Sequence, residues 1–275
     1  MTVFSTLVRR LPVLMVAAAL AAGAAACGGS KGPKMPAPGE READKFLFDR
    51  GSEAIAKKHW LEAREYFRRL IDTYPSSQFR ADAKLGVGDS YLGENRADST
   101  ILAANEFREF LRFFPLDKRA DYAQYKLAIA NSKQMLGPER DQTATLDTLR
   151  EVETFIKNYP DSPLLPEVQA LRRQTRDRLS DAEFRVGVFY YRNRVYSGAL
   201  QRLTSVIEND PEYTRRDAAY YYLGETMLKV NLRPQAVAMF ERLVKEFQSS
   251  EYLKKAQKRL AEIKAPVKTQ AEIKR

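Results

Sequence analysis

The sequence predicts an all-α protein, an α-solenoid of about five degenerate helix pairs in two sub-arrays joined by a long helix. Three observations predict it. Apolar residues recur at spacings of three and four, as in the stripe Ala63, Tyr66, Phe67, Leu70, Ile71 and Tyr74, and no long segment alternates with period two. The stretches end at recurrent stops, Tyr74-Pro75, Phe114-Pro115, Tyr159-Pro160 and Asp210-Pro211, whose prolines lie 40, 45 and 51 residues apart. Counting back from a stop, a small residue stands twelve positions earlier and a bulky one eight earlier: Ala63 with Phe67, Ala103 with Phe107, Ala199 with Leu203. Ala236 and Phe240 keep those offsets from Gln248, where the proline is missing.

One helix earlier in each unit, Gly51, Gly88, Gly187 and Gly224 follow apolar or aromatic stretches. Antiparallel helices approach closely only where small residues face each other, and bulky side chains then fill the gap to the next pair. The pattern resembles the tetratricopeptide repeat. The third unit is the poorest copy, with Thr148 and Val152 at the small and bulky positions and the loop "LGPERDQTAT" interrupting its pair. From Pro166 to Tyr191 the pattern reads as one long helix leading into the fourth unit.

In chain order, residues 1–26 carry Arg9 and Arg10, no acid, and an apolar stretch ending in Ala24, Ala25 and Ala26: a signal-peptide layout. Residues 27–43 are small, polar or proline-rich and read as a tether. Repeats one to three are expected over 44–160, the linking helix and repeats four and five over 161–264, and a basic, disordered tail over 265–275. The chain of 275 residues is 44% hydrophobic and 30% charged, which suits a globular, helix-rich protein. Its formal net charge is +10, and removal of the first 26 residues leaves about +8. Acids and bases interleave, so the charge reads as solvated helix faces. An exported chain rarely meets nucleic acid; an acidic partner or an anionic lipid surface is the better fit.

Chemistry is sparse. One Cys and one His cannot build a structural zinc site or an internal disulfide, and no cofactor or metal is expected. His59 precedes Trp60 in a turn and has no visible orienting partner, so it reads as a turn residue. The rings Phe189 to Tyr191 and Tyr220 to Tyr222 sit at helical spacing and read as core, with one tyrosine of each set left toward a groove. Glu151 with Glu153, and Asp147 with Glu151, lie on a helix rich in basic residues and read as surface. No GxSxG, HExxH, P-loop or GxGxxG motif is present, so no catalytic residue is proposed and the chain is read as a non-enzyme.

Cys27 follows three alanines and precedes Gly-Gly-Ser. Cleavage before it would expose a cysteine at the new N-terminus, which resembles the bacterial lipoprotein signal and implies acylation of Cys27. Gly28 in the next position resembles lipoproteins forwarded to the outer membrane. The segments "GSEAIAKKHWLEAREYFRRLIDTYPSSQFRADAKLGVGDSYL", "FREFLRFFPLDKRADYAQYKLAIA" and "ERDQTATLDTLREVETFIKNYPDSP" are similar to the BamD family of outer-membrane β-barrel assembly lipoproteins, over about residues 44–260. The Arg140-Asp141-Gln142-Thr143 loop is the most specific element of that likeness.

The resemblance implies a lipid-anchored scaffold on the periplasmic face of the outer membrane, belonging to the β-barrel assembly machine. Its partners would be the POTRA domains of a BamA-like barrel insertase, unfolded barrel precursors and other assembly lipoproteins. Phe48, Ser52 and Ile55 in the first helix, with Leu85 and Asp89 in the third, are expected to face a peptide-binding groove. Arg140, Asp141, Arg192, Arg194 and Arg202 are expected to face a partner, Arg192, Arg194 and Arg202 through its acidic residues. The competing reading is a general cell-envelope repeat lipoprotein, peptidoglycan-linked or associated with a secretion system. A binder of small ligands would need an enclosed pocket, which a solenoid seldom offers.

Overall fold

The computed structural model describes residues 42–265. The signal segment, Cys27 and nearly all of the expected tether and tail lie outside the described residues. Eleven helices and no strand are present among those described. They are α1 (Ala43–Ala56), α2 (Trp60–Thr73), α3 (Arg80–Glu94), α4 (Ala97–Phe113), α5 (Ala120–Ser132), α6 (Thr143–Asn158), α7 (Leu165–Arg192), α8 (Tyr196–Asn209), α9 (Arg216–Lys229), α10 (Arg233–Glu246) and α11 (Leu253–Lys264). Helix α1 already includes Ala43, so the expected tether ends one residue early. Consecutive helices pack on each other from α1's neighbour α2 to α11, the arrangement of a helix-pair solenoid.

The second helices of all five pairs end alike. The N–H of Tyr74, Phe114, Tyr159, Asp210 and Phe247 donates to the carbonyl four residues back, at φ between −136° and −124° and ψ between 53° and 78°. Proline, which lacks an N–H and forces the preceding residue out of the helical region, follows four of these stops. Gln248 follows the fifth and the geometry is unchanged, so packing of the next turn suffices there. The turns inside the pairs of repeats one, two, four and five each carry one left-handed residue: Lys58, Asn95, Arg194 and Asn231.

A serine secures three of the inter-repeat turns. The hydroxyls of Ser77, Ser162 and Ser250 each donate at 2.6 Å to a carboxylate at the start of the preceding pair, Asp44, Asp121 and Asp217. Each hydroxyl also accepts the N–H two residues on. In the second repeat Asp117 takes that place, and Arg119 links it to Asp82. In the fourth, Tyr213 and Arg215 donate to Asp181 on α7.

The small-residue pattern has a direct steric cause. A Cβ on Gly51, Gly88, Gly187 or Gly224 would lie 2.5–2.8 Å from Phe67, Phe107, Leu203 or Phe240 respectively. Those bulky side chains are almost wholly buried, as are Thr148 and Val152 in the third pair. Helix α7 belongs to both halves. Its Val168 and Leu171 complete the core around Val152 and Phe155, while Phe184 and Val188 pack with Ala199 and Leu203. Arg173 on the same helix reaches the buried Asp210, which also accepts the Ser180 hydroxyl.

Candidate functional site

The first helices of repeats one to three, α1, α3 and α5, line a groove of about 390 Å³. Phe48, Ser52 and Ile55 come from one face of α1, and Leu85 and Asp89 from one face of α3. The structure thus brings together all five residues expected to face an N-terminal groove. It adds Asp82, Gly86, Arg119 and Tyr122, with Phe67 as the floor. A Cβ on Gly86 would run into the Phe67 ring from the opposite side to Gly51, so the two glycines let that ring rise between α1 and α3. Phe48 stacks on Phe79 with centroids 5.0 Å apart and tilts against Phe67 at 6.1 Å, which builds the apolar wall.

The polar side of the groove is ordered. Tyr122 Oη donates to Asp89 at 2.8 Å, and Lys126 Nζ stands 3.6 Å from the same carboxylate. Burial pushes Asp89 above the usual carboxylate range, against the opposing pull of Lys126 and the Tyr122 hydrogen bond. Burial, with Asp89 beside it, pushes the Tyr122 phenol up as well. Arg119 is paired with Asp82 and Asp117, and burial holds its guanidinium below its usual value. The result is an open apolar slot with carboxylate acceptors and one guanidinium on its rim. Such a slot can take an extended chain that offers an apolar side chain and backbone amides.

Sequence reasoning missed Asp82, Arg119 and Tyr122. The available signal was position: Asp82 and Tyr122 each stand seven residues after the proline of a helix stop, Pro75 and Pro115, whereas no recurring pattern marks Arg119.

The remaining expected residues are scattered. Arg202 makes a two-pronged contact with Glu183 at 2.9 and 3.1 Å, so it is already paired within the chain. Arg192 lines a second cavity with Phe184, Val188, Tyr222 and Tyr252. Arg194 is the left-handed residue of its turn, at φ 63°. In the 133–142 loop, Asp141 accepts the N–H and hydroxyl of Thr143, and Gln142 donates to the carbonyls of Gly137 and Arg140. Arg140 itself is exposed and makes no ion pair among the described residues. The loop is fastened to α7 through Arg178, which donates to the Leu136 carbonyl, and Arg185, which pairs with Glu139.

His59 is exposed and lies 3.3 Å from Glu62, while Trp60 packs over Gly93. Of the set Phe189 to Tyr191, the exposed ring is Phe189, not a tyrosine; of the other set, Tyr220 is fully buried and Tyr221 and Tyr222 pack against Tyr252. Among the described residues no helix is long and apolar enough to cross a membrane, and no three potential metal ligands converge.

The family model described as YfiO: Outer membrane lipoprotein matches residues 40–233, well over half of the chain. The chain belongs to the YfiO family. A tetratricopeptide-repeat model also matches residues 218–250, which hold most of α9 and all of α10. This YfiO member is 27% identical over 227 residues to "Outer membrane protein assembly factor BamD" of Caulobacter vibrioides, covering 82% of this chain and 73% of that protein. It is 22% identical over 190 residues to the protein of the same name from Rickettsia prowazekii, covering 69% and 74%. Among solved structures, the "TPR2AB-domain:pHSP90-complex of yeast Sti1" is similar at TM-score 0.47 and 12% identity, over 80% of this chain and 82% of that one.

Proposed function

We propose that this chain is a lipid-anchored, non-enzymatic scaffold for assembly of outer-membrane β-barrel proteins, acting at the periplasmic face of the outer membrane. Acylated Cys27 would hold it there, since two acyl chains suffice for stable anchoring. The observation that carries the reading is the groove between α1, α3 and α5. Its apolar floor at Phe67 and polar rim at Asp89 and Arg119 suit an extended, unfolded barrel precursor. The C-terminal repeats, with Arg192 in their cavity and Arg202 on α8, offer the surface for the insertase's POTRA domains. Family membership and the names of the relatives support this assignment over a general cell-envelope scaffold.

Two measurements test it. Depletion is expected to lower many outer-membrane barrel proteins together, and loss of a single secretion system instead would favour the competing reading. Binding of a fluorescent peptide copying the aromatic-ended last strand of a barrel precursor should weaken at least tenfold in Ile55→Asp, about 1.4 kcal/mol. Equal binding by the folded variant would remove the groove from the mechanism. Cys27→Ser should shift the protein from the membrane to the soluble fraction after a salt wash.

A further inference from the structure

Every second helix ends in the same stop, so each repeat serves as a control for the others. The residue after the proline position is Ser76, Asp161, Glu212 or Ser249 in four repeats, all exposed and polar. In the second repeat it is Leu116, 97% exposed. Two residues before the proline position, Thr73, Asn158, Asn209 and Glu246 are likewise exposed and polar. The second repeat has Phe113 there, 57% exposed. Apart from the neighbouring Arg112, no ring or charged group among the described residues contacts either side chain, and a turn that exposes both at positions kept polar elsewhere has an unmet partner. Arg112, whose guanidinium lies 4.5 Å from the centre of the Phe113 ring, and Lys118 flank the pair. Neither cation has a carboxylate within ion-pair distance among the described residues, while the nearby Asp117 and Asp121 are occupied by Arg119 and Ser162.

We propose that the α4–α5 turn is a membrane-contact tip, with Phe113 and Leu116 seated at the headgroup–acyl boundary and Arg112 and Lys118 against lipid phosphates. The place of this turn in the fold favours a bilayer. The Ser77–Asp44 hydrogen bond sets the start of α1 on the edge that carries the inter-repeat turns, and the Arg119–Asp82 pair sets the α4–α5 turn on the same edge. That turn is two helices along from α1, roughly 20 Å at ordinary helix spacing. The chain from Cys27 to Glu42 can span at most about 50 Å, so an anchor at Cys27 leaves the turn within reach of the surface that holds it. A protruding aromatic–aliphatic pair needs a preformed pocket in a protein partner but none in a bilayer, and basic neighbours complement anionic headgroups. This inference rests on the proposed anchor for its choice of bilayer.

Cys27 is the only native cysteine, which makes the test direct. Full-length Leu116→Cys, processed in cells and placed in phosphatidylethanolamine–phosphatidylglycerol vesicles, is labelled with an environment-sensitive fluorophore. Ser249→Cys, at the equivalent place in the last repeat, serves as the control. The label at 116 should shift to the blue and be quenched by lipid-borne nitroxide, and the shift should shrink when the phosphatidylglycerol is replaced by a neutral lipid. The label at 249 should do neither. Identical emission at 116 with and without vesicles would overturn the proposal, as would a shift that appears only when another envelope protein is added. Labelling of the unsubstituted chain would show a free Cys27 thiol and sink the anchor alone. The tip is then read in Cys27→Ser/Leu116→Cys against excess vesicles, with the same two outcomes.

Discussion

A Cβ on Gly224 would stand 2.8 Å from the Phe240 ring, whereas one on Gly137 would meet only the end of the flexible Glu139 side chain at 3.1 Å. Gly224→Leu is therefore expected to destabilise the protein by about 3 kcal/mol or more through overpacking, and Gly137→Ala to leave it nearly unchanged, as read by urea unfolding. Equal midpoints for the two would refute the proposed helix crossing. A second residue-scale effect depends on pH. Burial raises Asp210, but hydrogen bonds from Arg173 and Ser180 outweigh it and hold the carboxyl below its usual range. The stability it contributes is present above its unfolded value near 3.9 and is lost as pH falls through the lower folded value. Arg173→Met should cost roughly 2–3 kcal/mol at neutral pH, with the deficit narrowing below about pH 4. A deficit constant with pH would show that the pair is not what Arg173 contributes. The glycines were visible in the sequence because close approach restricts them to one side-chain size. The Arg173–Asp210 pair was not, because its partners stand 37 residues apart and no periodicity relates them.

At the scale of the helix and its turn, the stops were legible and the clamps were not. Proline marks four of the five stops, yet Phe247 holds the same conformation ahead of Gln248. Proline is thus a sign of the turn rather than its cause. The hydroxyl of Ser162 satisfies a backbone N–H of its own turn and the Asp121 carboxylate at once. Ser162→Ala is expected to cost about 1 kcal/mol, and Ser77→Ala a similar amount at the equivalent site, with near-additive effects at such separated positions. Chemical denaturation of the two single variants and the double variant checks this. A double variant much less stable than the sum would mean that the turns are coupled. The groove shows the same division. Phe48, Ser52, Ile55, Leu85 and Asp89 were assignable because residues three and four apart share a helix face. Tyr122 and Arg119 entered only when α5 was packed beside α3.

Over the whole molecule, α7 decides whether the two sub-arrays behave as one body. Its 28 residues close the core of the third pair at one end and open that of the fourth at the other. A proline at Ala182 would remove a hydrogen bond and clash with the carbonyl of Arg178, costing about 3 kcal/mol or more. Trp60 is the only tryptophan and sits in the first repeat, so its fluorescence reports on the N-terminal half while far-ultraviolet circular dichroism reports on all helices. In the parent protein the two signals should follow one transition; in Ala182→Pro they should separate, with the tryptophan signal nearly unmoved. Coincident transitions in the variant would show that the halves are coupled by more than the continuity of α7.

Fold class, repeat register and the faces of individual helices follow from the order of residues alone, because a period of 3.6 and a small residue at a crossing are local properties of the chain. The helix-pair count and the long α7 were predicted on that basis, to within a residue at each end of α7. Which side chains meet across the groove, which arginine is already paired and which turn presents Phe113 and Leu116 to solvent are decided by distances between segments 20 to 40 residues apart. Arg202 and Arg140 look alike as sequence; packing of α8 against α7 gives the first a carboxylate at Glu183, and the loop geometry leaves the second with none.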